Sequence, residues 1–105
     1  MDKNFKIEYT PDACADVESI ADYIATTLCA PQAAKKLLFN VRRTIETLQR
    51  FPFSGTLLEE QTERESQRRW LRVGNYMIFY VVDEQKETVY ILRVLYGPSD
   101  YLEIL

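Results

Sequence analysis

The chain has 105 residues, a formal net charge of -3 at pH 7 and no histidine; 47% of its residues are hydrophobic and 28% are charged. This length supports one domain with a single modest core, and the composition is typical of a soluble globular protein. The lack of histidine excludes Ser-His and Cys-His catalysis, while Cys14 and Cys29 are too few for a disulfide framework and are expected to behave as small hydrophobes.

A strand followed at once by a helix is predicted at the start of the chain. Residues 4–9 alternate apolar and charged side chains, which is the period of a half-buried strand. Thr10 can cap a helix, and Pro11 suits the first helical position. The apolar residues then recur every three or four positions and predict one buried stripe: Ala13, Val17, Ile20, Ile24 and Leu28.

A second, longer helix is predicted to begin at Pro31 and to end before Pro52, because proline starts helices readily but interrupts them internally. Its apolar stripe consists of Ala34, Leu37, Leu38, Val41, Ile45 and Leu48. The short connection makes the two helices an antiparallel hairpin. The basic residues between positions 34 and 50, which are Lys35, Lys36, Arg42, Arg43 and Arg50, form either a solvated face or a binding surface.

The last third of the chain predicts a β-meander. Strands are expected at residues 69–73, 76–82 and 88–96, joined by Gly74-Asn75 and by a charged loop at residues 83–87. The third of these strands is apolar on both faces, so we expect it near the centre of the sheet. Residues 55–69 have no periodicity and are interpreted as a linker within the domain, and the apolar tail either packs on the sheet or binds a partner.

The order strand, helix, helix, three strands predicts one α+β domain of two layers spanning residues 1–105. It comprises an N-terminal strand, an antiparallel helical hairpin and a three-stranded antiparallel β-meander. We expect an antiparallel platform that both helices contact, and parallel strand pairing would count against this interpretation. No apolar run approaches the roughly 20 residues of a membrane span, and the first residues lack the apolar stretch of a signal peptide, so a cytoplasmic protein with no membrane partner is expected.

Four groups of residues, in this order and spacing, resemble the RelE/ParE superfamily of type II toxin–antitoxin systems, a class that includes plasmid stabilisation proteins. They are ADVESIADYI at 15–24 with PQAA at 31–34; IETLQRFP at 45–52 with Gly55; LRVGNY at 71–76 with IFY at 78–80; and ILRVLYG at 91–97 with Asp100. The resemblance implies a growth-inhibiting cytoplasmic toxin held inactive by a cognate antitoxin, with no cofactor or metal. It is compatible with a homodimer or with a heterotetramer that includes the antitoxin.

The resemblance leaves two targets open, because RelE-like members cut messenger RNA on the ribosome and ParE-like members poison DNA gyrase. A nuclease without histidine would need cations to hold the scissile phosphate and a tyrosine or lysine to move the proton. The candidate catalytic residues, relevant only to a RelE-like enzyme, are Arg72, Arg93 and Tyr80. The candidates for binding the target or the antitoxin are Arg68, Arg69, Trp70, Tyr96, Asp100 and Tyr101.

Two departures from the family pattern favour the ParE-like branch. Met77 stands where RelE-like nucleases often have an arginine, and Pro98-Ser99 stands where many relatives have an arginine pair. Both remove positive charge from a phosphate-binding face. A RelE-like ribosome-dependent endoribonuclease and a degenerate module that only binds remain the alternatives. Arg93 can equally be a structural arginine paired with a carboxylate, and Arg68-Arg69 can equally be the solvated start of a strand.

Overall fold

The computed structural model describes residues 4–58 and 67–97, which form a helical layer on one face of a five-stranded sheet. In chain order the elements are β1 (Lys6–Tyr9), α1 (Pro11–Asp22), a π-helical turn (Tyr23–Thr27), α2 (Pro31–Glu46), a 3₁₀ turn (Thr47–Gln49), β2 (Thr56–Leu57), β3 (Arg69–Val73), β4 (Tyr76–Asp83) and β5 (Thr88–Tyr96). The two helices contact each other, α1 packs on β5, and α2 packs on β3. The predicted two-layer α+β class is therefore confirmed.

The sheet has the strand order β1-β5-β4-β3-β2 and is mixed. The pairs β2–β3, β3–β4 and β4–β5 are antiparallel, as the meander predicts, whereas β1 pairs with β5 in parallel. The expectation of a purely antiparallel platform is wrong at this edge. No tight turn links β1 to β5, because the helical hairpin and three strands lie between them, and such a long connection permits a parallel pair. The interior position expected for β5 is confirmed, since it lies between β1 and β4.

A very short strand, β2, lies in the segment that the sequence predicted to be a linker. Thr56 pairs with Trp70, and Leu57 pairs with Arg69. Two residues cannot display an alternating pattern, so periodicity gives no signal for this strand. The turn between β3 and β4 matches its prediction, because Gly74 has a φ of 59° that glycine adopts without steric cost.

Thr10 follows β1 directly and connects α1 to β5 through hydrogen bonds. Its hydroxyl Oγ1 accepts from the N–H of Ala13 at 3.1 Å and donates to the carbonyl of Leu92 at 2.9 Å. Its own N–H donates to the carbonyl of Ile91 at 3.1 Å. Leu92 is the residue that has no partner in the shifted register between β4 and β5. The predicted helix cap therefore also joins α1 to β5 at the position where the register between β4 and β5 shifts.

The tip of the helical hairpin departs from the predicted stripe. The π-helical turn widens the last turn after α1, and Leu28, which the periodicity placed on the buried stripe, is 55% exposed. Cys29 has a φ of 53°, and the next N–H, that of Ala30, donates to the carbonyl of Ile24 at 3.0 Å. Cys14 and Cys29, which were expected to behave as small hydrophobes, are both exposed.

Apolar side chains are buried on both faces of the sheet. The main core lies between the layers and contains Ala13, Val41, Ile45, Leu48, Val73, Ile78, Tyr80, Val89, Ile91 and Val94. A second cluster, which draws no residue from either helix, consists of Leu58, Met77, Phe79 and Leu95 with Trp70 packed against it. This arrangement explains why β4 and β5 are apolar at successive positions, since each strand contributes to a cluster on either side.

Candidate functional site

Arg93 is held by a carboxylate of the first helix. Its Nε donates to Oδ2 of Asp16 at 2.7 Å, and a terminal nitrogen donates to Oδ1 at 2.8 Å. The backbone N–H of Val94 donates to the same Oδ2 at 3.0 Å. These bonds to Asp16 are the main cause of a pKa of Arg93 above its ordinary value. The geometry therefore matches the structural interpretation of Arg93, a half-buried arginine that joins β5 to α1.

Tyr80 is fully buried, and its hydroxyl accepts a hydrogen bond from the N–H of Gly55 at 2.8 Å. Burial raises the pKa of the phenol above its ordinary value of 10.0, although the bond from Gly55 opposes this effect. A Cβ on residue 55 would lie 2.5 Å from this hydroxyl oxygen and 2.8 Å from the carbonyl of Trp70. Only glycine fits at position 55, and the Tyr80 hydroxyl is already bonded to the loop that contains this glycine.

Arg72 lies on the opposite face of the sheet from Tyr80. It pairs with Met77 across β3 and β4, and directly opposed residues share a face. Met77 belongs to the second cluster, whereas Tyr80 belongs to the main core. Arg72 is exposed. Arg93 pairs with Phe79 of the second cluster, so its position in the register is on the same face as Arg72, but its guanidinium is bound by Asp16. Tyr80 and Arg72 are therefore not brought together.

Arg69 holds the loop that precedes β2. Its guanidinium donates to the carbonyls of Phe53 at 3.2 Å and of Gly55 at 2.9 Å, and it lies 5.1 Å from the centre of the Phe53 ring. The neighbouring Arg68 is half-buried, and its carbonyl accepts from the N–H of Leu58 at 2.9 Å. This basic pair therefore begins the strand, and the Arg69 side chain stabilises a loop conformation.

Two of the remaining candidate residues, Trp70 and Tyr96, are in the part of the chain that the structure describes. Trp70 packs against the second cluster. Tyr96 is 48% exposed, and its ring meets that of Tyr76 edge to face at a centroid distance of 5.5 Å. Asp100 and Tyr101 lie outside the described residues.

A groove of about 390 Å³ between the helices is the feature that sequence reasoning missed. It is lined by Tyr9, Cys14, Val17, Glu18, Leu38, Val41 and Arg42. Tyr9 is 42% exposed and Leu38 is 38% exposed, although the sequence patterns placed both on buried faces. Burial raises the pKa of the Tyr9 phenol, and the positive charge of Arg42 opposes that shift. The basic character of α2 was the one available signal for this surface.

Within residues 4–58 and 67–97, no three His, Cys, Asp or Glu side chains are grouped so that they could hold a metal ion. The helices described are all too short or too polar to cross a bilayer.

The sequence matches, over residues 7–101, the family described as ParE toxin of type II toxin-antitoxin system, parDE. No curated protein matches the sequence significantly. Among solved structures, the fold is similar to a chain of the chromosomal ParDE TA system from P. aeruginosa, with a TM-score of 0.70, 20% identity, and coverage of 88% of this chain and 95% of that one.

Two other solved structures share the fold. The toxin-antitoxin complex RelBE2 from Mycobacterium tuberculosis gives a TM-score of 0.62 at 22% identity, covering 91% of this chain and 97% of that one. The archaeal RelE-RelB complex from Pyrococcus horikoshii OT3 gives a TM-score of 0.55 at 16% identity, covering 90% and 97%. At these identities the likeness concerns the fold.

Proposed function

Because this chain belongs to the ParE toxin family of type II toxin–antitoxin systems, we propose that it arrests bacterial growth by binding an essential protein target such as DNA gyrase. A cognate antitoxin neutralises it. The observation that carries the choice of a binding mechanism is the burial of Tyr80 on the face of the sheet opposite Arg72. Tyr80 is buried in the main core, Arg72 is on the opposite face of the sheet, and Arg93 is bound by Asp16.

Cleavage of RNA needs a cation and a proton-transferring group within hydrogen-bonding reach of the same phosphate and ribose. A fully buried phenol whose oxygen already accepts from Gly55 cannot approach a ribose without opening the core. Two N–H groups of Arg93 already donate to the Asp16 carboxylate, which neutralises its charge and fixes the direction of its guanidinium. The arrangement supports a toxin that acts by binding.

An antitoxin partner is supported by the solved proteins of similar fold, which include a ParDE TA system and a RelBE2 toxin-antitoxin complex. In this proposal the antitoxin folds as it binds, laying an amphipathic helix on the helical layer and adding a strand at an open sheet edge. The two-residue β2 is one such edge. Hydrogen exchange with and without the partner tests the arrangement: amides of the helices and the edge strand gain protection, and unchanged exchange there contradicts it.

The decisive experiment is to induce the chain alone in a bacterium and to follow growth, plasmid supercoiling and transcript integrity together. Growth arrest with relaxed plasmids and intact transcripts is the expected result. Normal supercoiling by purified gyrase at excess toxin contradicts the gyrase target. Codon-phased cuts confined to translated regions would indicate a RelE-like nuclease, and normal growth with well-folded protein would indicate a module that only binds.

Arg72→Ala is the variant that distinguishes gyrase binding from RNA cleavage in this experiment. The side chain is exposed, so its removal leaves both apolar clusters intact. A gyrase-binding toxin with this change is expected still to relax plasmids. If the change instead abolishes growth arrest together with transcript cleavage, Arg72 acts on RNA and the proposal fails.

A further inference from the structure

The side of α2 that faces away from the core carries two pairs of cations. All four side chains are exposed, and they are Lys35, Lys36, Arg42 and Arg43. The second pair follows the first by seven residues, which is close to two helical turns, so both pairs project from the same side of the helix. We call this surface the cation face. It concentrates positive charge on a chain whose net charge is -3.

Phe39 lies between the two pairs on the cation face and is 57% exposed. The guanidinium of Arg43 is 5.6 Å from the centre of the Phe39 ring, a distance at which a cation and an aromatic ring attract each other. This contact restricts the rotamers of the Arg43 side chain. The guanidinium therefore stays on the outward side of the helix, where a partner can reach it.

The spacing of the pairs suits the phosphates of duplex DNA. Seven residues rise about 10 Å along an α-helix. The major groove of B-DNA is about 12 Å wide, and a phosphate backbone runs along each of its two walls. When α2 lies across such a groove, the lysine pair meets one wall and the arginine pair meets the other.

The composition of the cation face favours DNA over an acidic protein. Protein interfaces are depleted of lysine and have an apolar centre. Phe39 is the only large apolar side chain of α2 on this face, because Leu37 packs against the main core and Leu38 lines the groove beside α1. Phosphate contacts need only lysine and arginine side chains at a suitable spacing.

The rest of the molecule limits how tightly α2 alone can hold DNA. The first helix, α1, has four acidic residues and no lysine or arginine, and the whole chain is negative. These charges repel phosphate, so the free chain is expected to bind DNA weakly. DNA that is already held by the protein target is presented at a high effective concentration, and a weak contact then contributes to binding.

We propose that the cation face of α2 binds the phosphate backbone of duplex DNA, and that the DNA concerned is the segment held by the target gyrase. This inference rests on the proposed function. It adds a second contact to that function, because the toxin then binds the enzyme and its DNA substrate together. Such binding depends on charge and spacing and not on base sequence.

The salt dependence of binding to a short labelled duplex, followed by fluorescence anisotropy, tests the contact directly. Each phosphate contact contributes about -0.9 to the slope of log affinity against log salt concentration. Four contacts therefore predict that a fourfold rise in salt weakens binding by roughly 100-fold. Absence of binding in low salt, or binding that salt does not weaken, would overturn the inference.

A double variant and a matched control locate the contact. Lys35→Ala with Lys36→Ala removes one pair, and alanine is a strong helix former, so α2 is retained. This variant is expected to halve the salt slope and to weaken binding about tenfold or more in low salt. Lys6→Ala with Lys86→Ala removes the same charge at exposed positions outside α2 and should leave binding unchanged. Equal losses in the two double variants would reduce the effect to net charge and refute the inference.

Competition separates DNA from an acidic protein as the partner of the cation face. A flexible glutamate peptide with as many negative charges as the duplex has a lower charge density and releases fewer counterions on binding. It is expected to displace the duplex only at about tenfold higher concentration. Displacement at equal concentration would assign the face to an acidic protein and overturn the inference.

Supercoiling by purified gyrase distinguishes failure of this inference from failure of the proposed function. The Lys35→Ala, Lys36→Ala variant is expected to need about tenfold more protein than wild type for half inhibition. If it inhibits as well as wild type after losing the duplex, the inference fails and the proposed function stands. If wild type does not inhibit gyrase, the proposed function fails, and the measurements on free duplex still decide whether α2 binds DNA.

Discussion

At the scale of single residues, Asp16 has a structural role in joining α1 to β5 that cannot be read from its position in the sequence. One carboxylate accepts from two nitrogens of Arg93 and from the backbone of Val94, across a sequence separation of 77 and 78 residues. Only 12% of the Asp16 side chain and 25% of the Arg93 side chain are exposed. Water therefore screens the pair less than it would screen a surface ion pair.

Asp16→Asn is predicted to lower the free energy of unfolding by about 1.5–3 kcal/mol, because the bonds to Arg93 and Val94 lose their charged acceptor. Urea denaturation measures the effect. Asp12→Asn removes the same charge one turn earlier, where no direct bond to Arg93 occurs among the described contacts, and should cost much less. Equal losses in the two variants would mean that general charge on α1, not the bonded pair, sets the stability.

Tyr80 makes the stability depend on alkaline pH. Its pKa is raised above 10.0 in the folded state by burial, so the folded state keeps a proton that the unfolded state loses. The corresponding stability is fully present below about pH 10 and is lost as the pH rises through the folded pKa.

Tyr80→Phe is therefore predicted to reduce the fall in stability above about pH 10. It should also cost about 1–3 kcal/mol at neutral pH, because the N–H of Gly55 loses its acceptor. Denaturant midpoints measured across the alkaline range check both effects. If the stability of Tyr80→Phe falls with rising pH as steeply as that of wild type, the loss of stability at alkaline pH comes from other groups. Tyr9 and Tyr76 are such groups, since their pKa values are also raised.

At the scale of elements, Thr10 fixes how α1 leaves the sheet. Thr10→Val keeps the shape but removes the hydroxyl, so Ala13 loses its cap and Leu92 loses its donor. The predicted cost is about 1–2 kcal/mol in the free energy of unfolding. Thr10→Ser retains both hydrogen bonds and should lie within about 0.5 kcal/mol of wild type. A loss in the Ser variant with none in the Val variant would mean that the γ-methyl group, not the hydroxyl, makes the contribution.

The helices and the meander could be predicted because their signals are local. Pro11 and Pro31 begin α1 and α2, the apolar periods extend over several turns, and Gly74 occupies a turn that needs positive φ. Other elements depend on distant residues. The direction of β1 is set by its pairing with β5, and β2 is too short to show any period.

The candidate site was less predictable than the fold. Residue type alone could identify Arg72, Arg93 and Tyr80 only as polar groups on strands. It did not decide whether Arg93 has a catalytic or a structural role. The partner of Arg93 lies on another element, and the burial of Tyr80 follows from helix packing, so neither is encoded near the residue itself. The groove between the helices was missed because Leu38 continues the apolar stripe while standing at its exposed margin.

At the scale of the whole molecule, the strand order predicts a gradient of local stability. The central β4 and the interior β5 are paired on both sides, whereas β2 is a two-residue edge strand. Native-state hydrogen exchange should therefore find the slowest amides in β4 and β5 and the fastest strand amides in β2. Uniform protection across the five strands would indicate that the sheet opens only by global unfolding.

The parallel pairing of β1 with β5 also determines when the sheet can be completed during translation. Lys6 pairs with Thr88, so the first strand to leave the ribosome waits for a partner made about 80 residues later. At translation rates of about 5–20 residues per second, this delay is roughly 4–16 s. Until then the sheet has no finished N-terminal edge, and the nascent toxin is an incomplete protein. The complete five-stranded sheet therefore forms only after β5 has been synthesised.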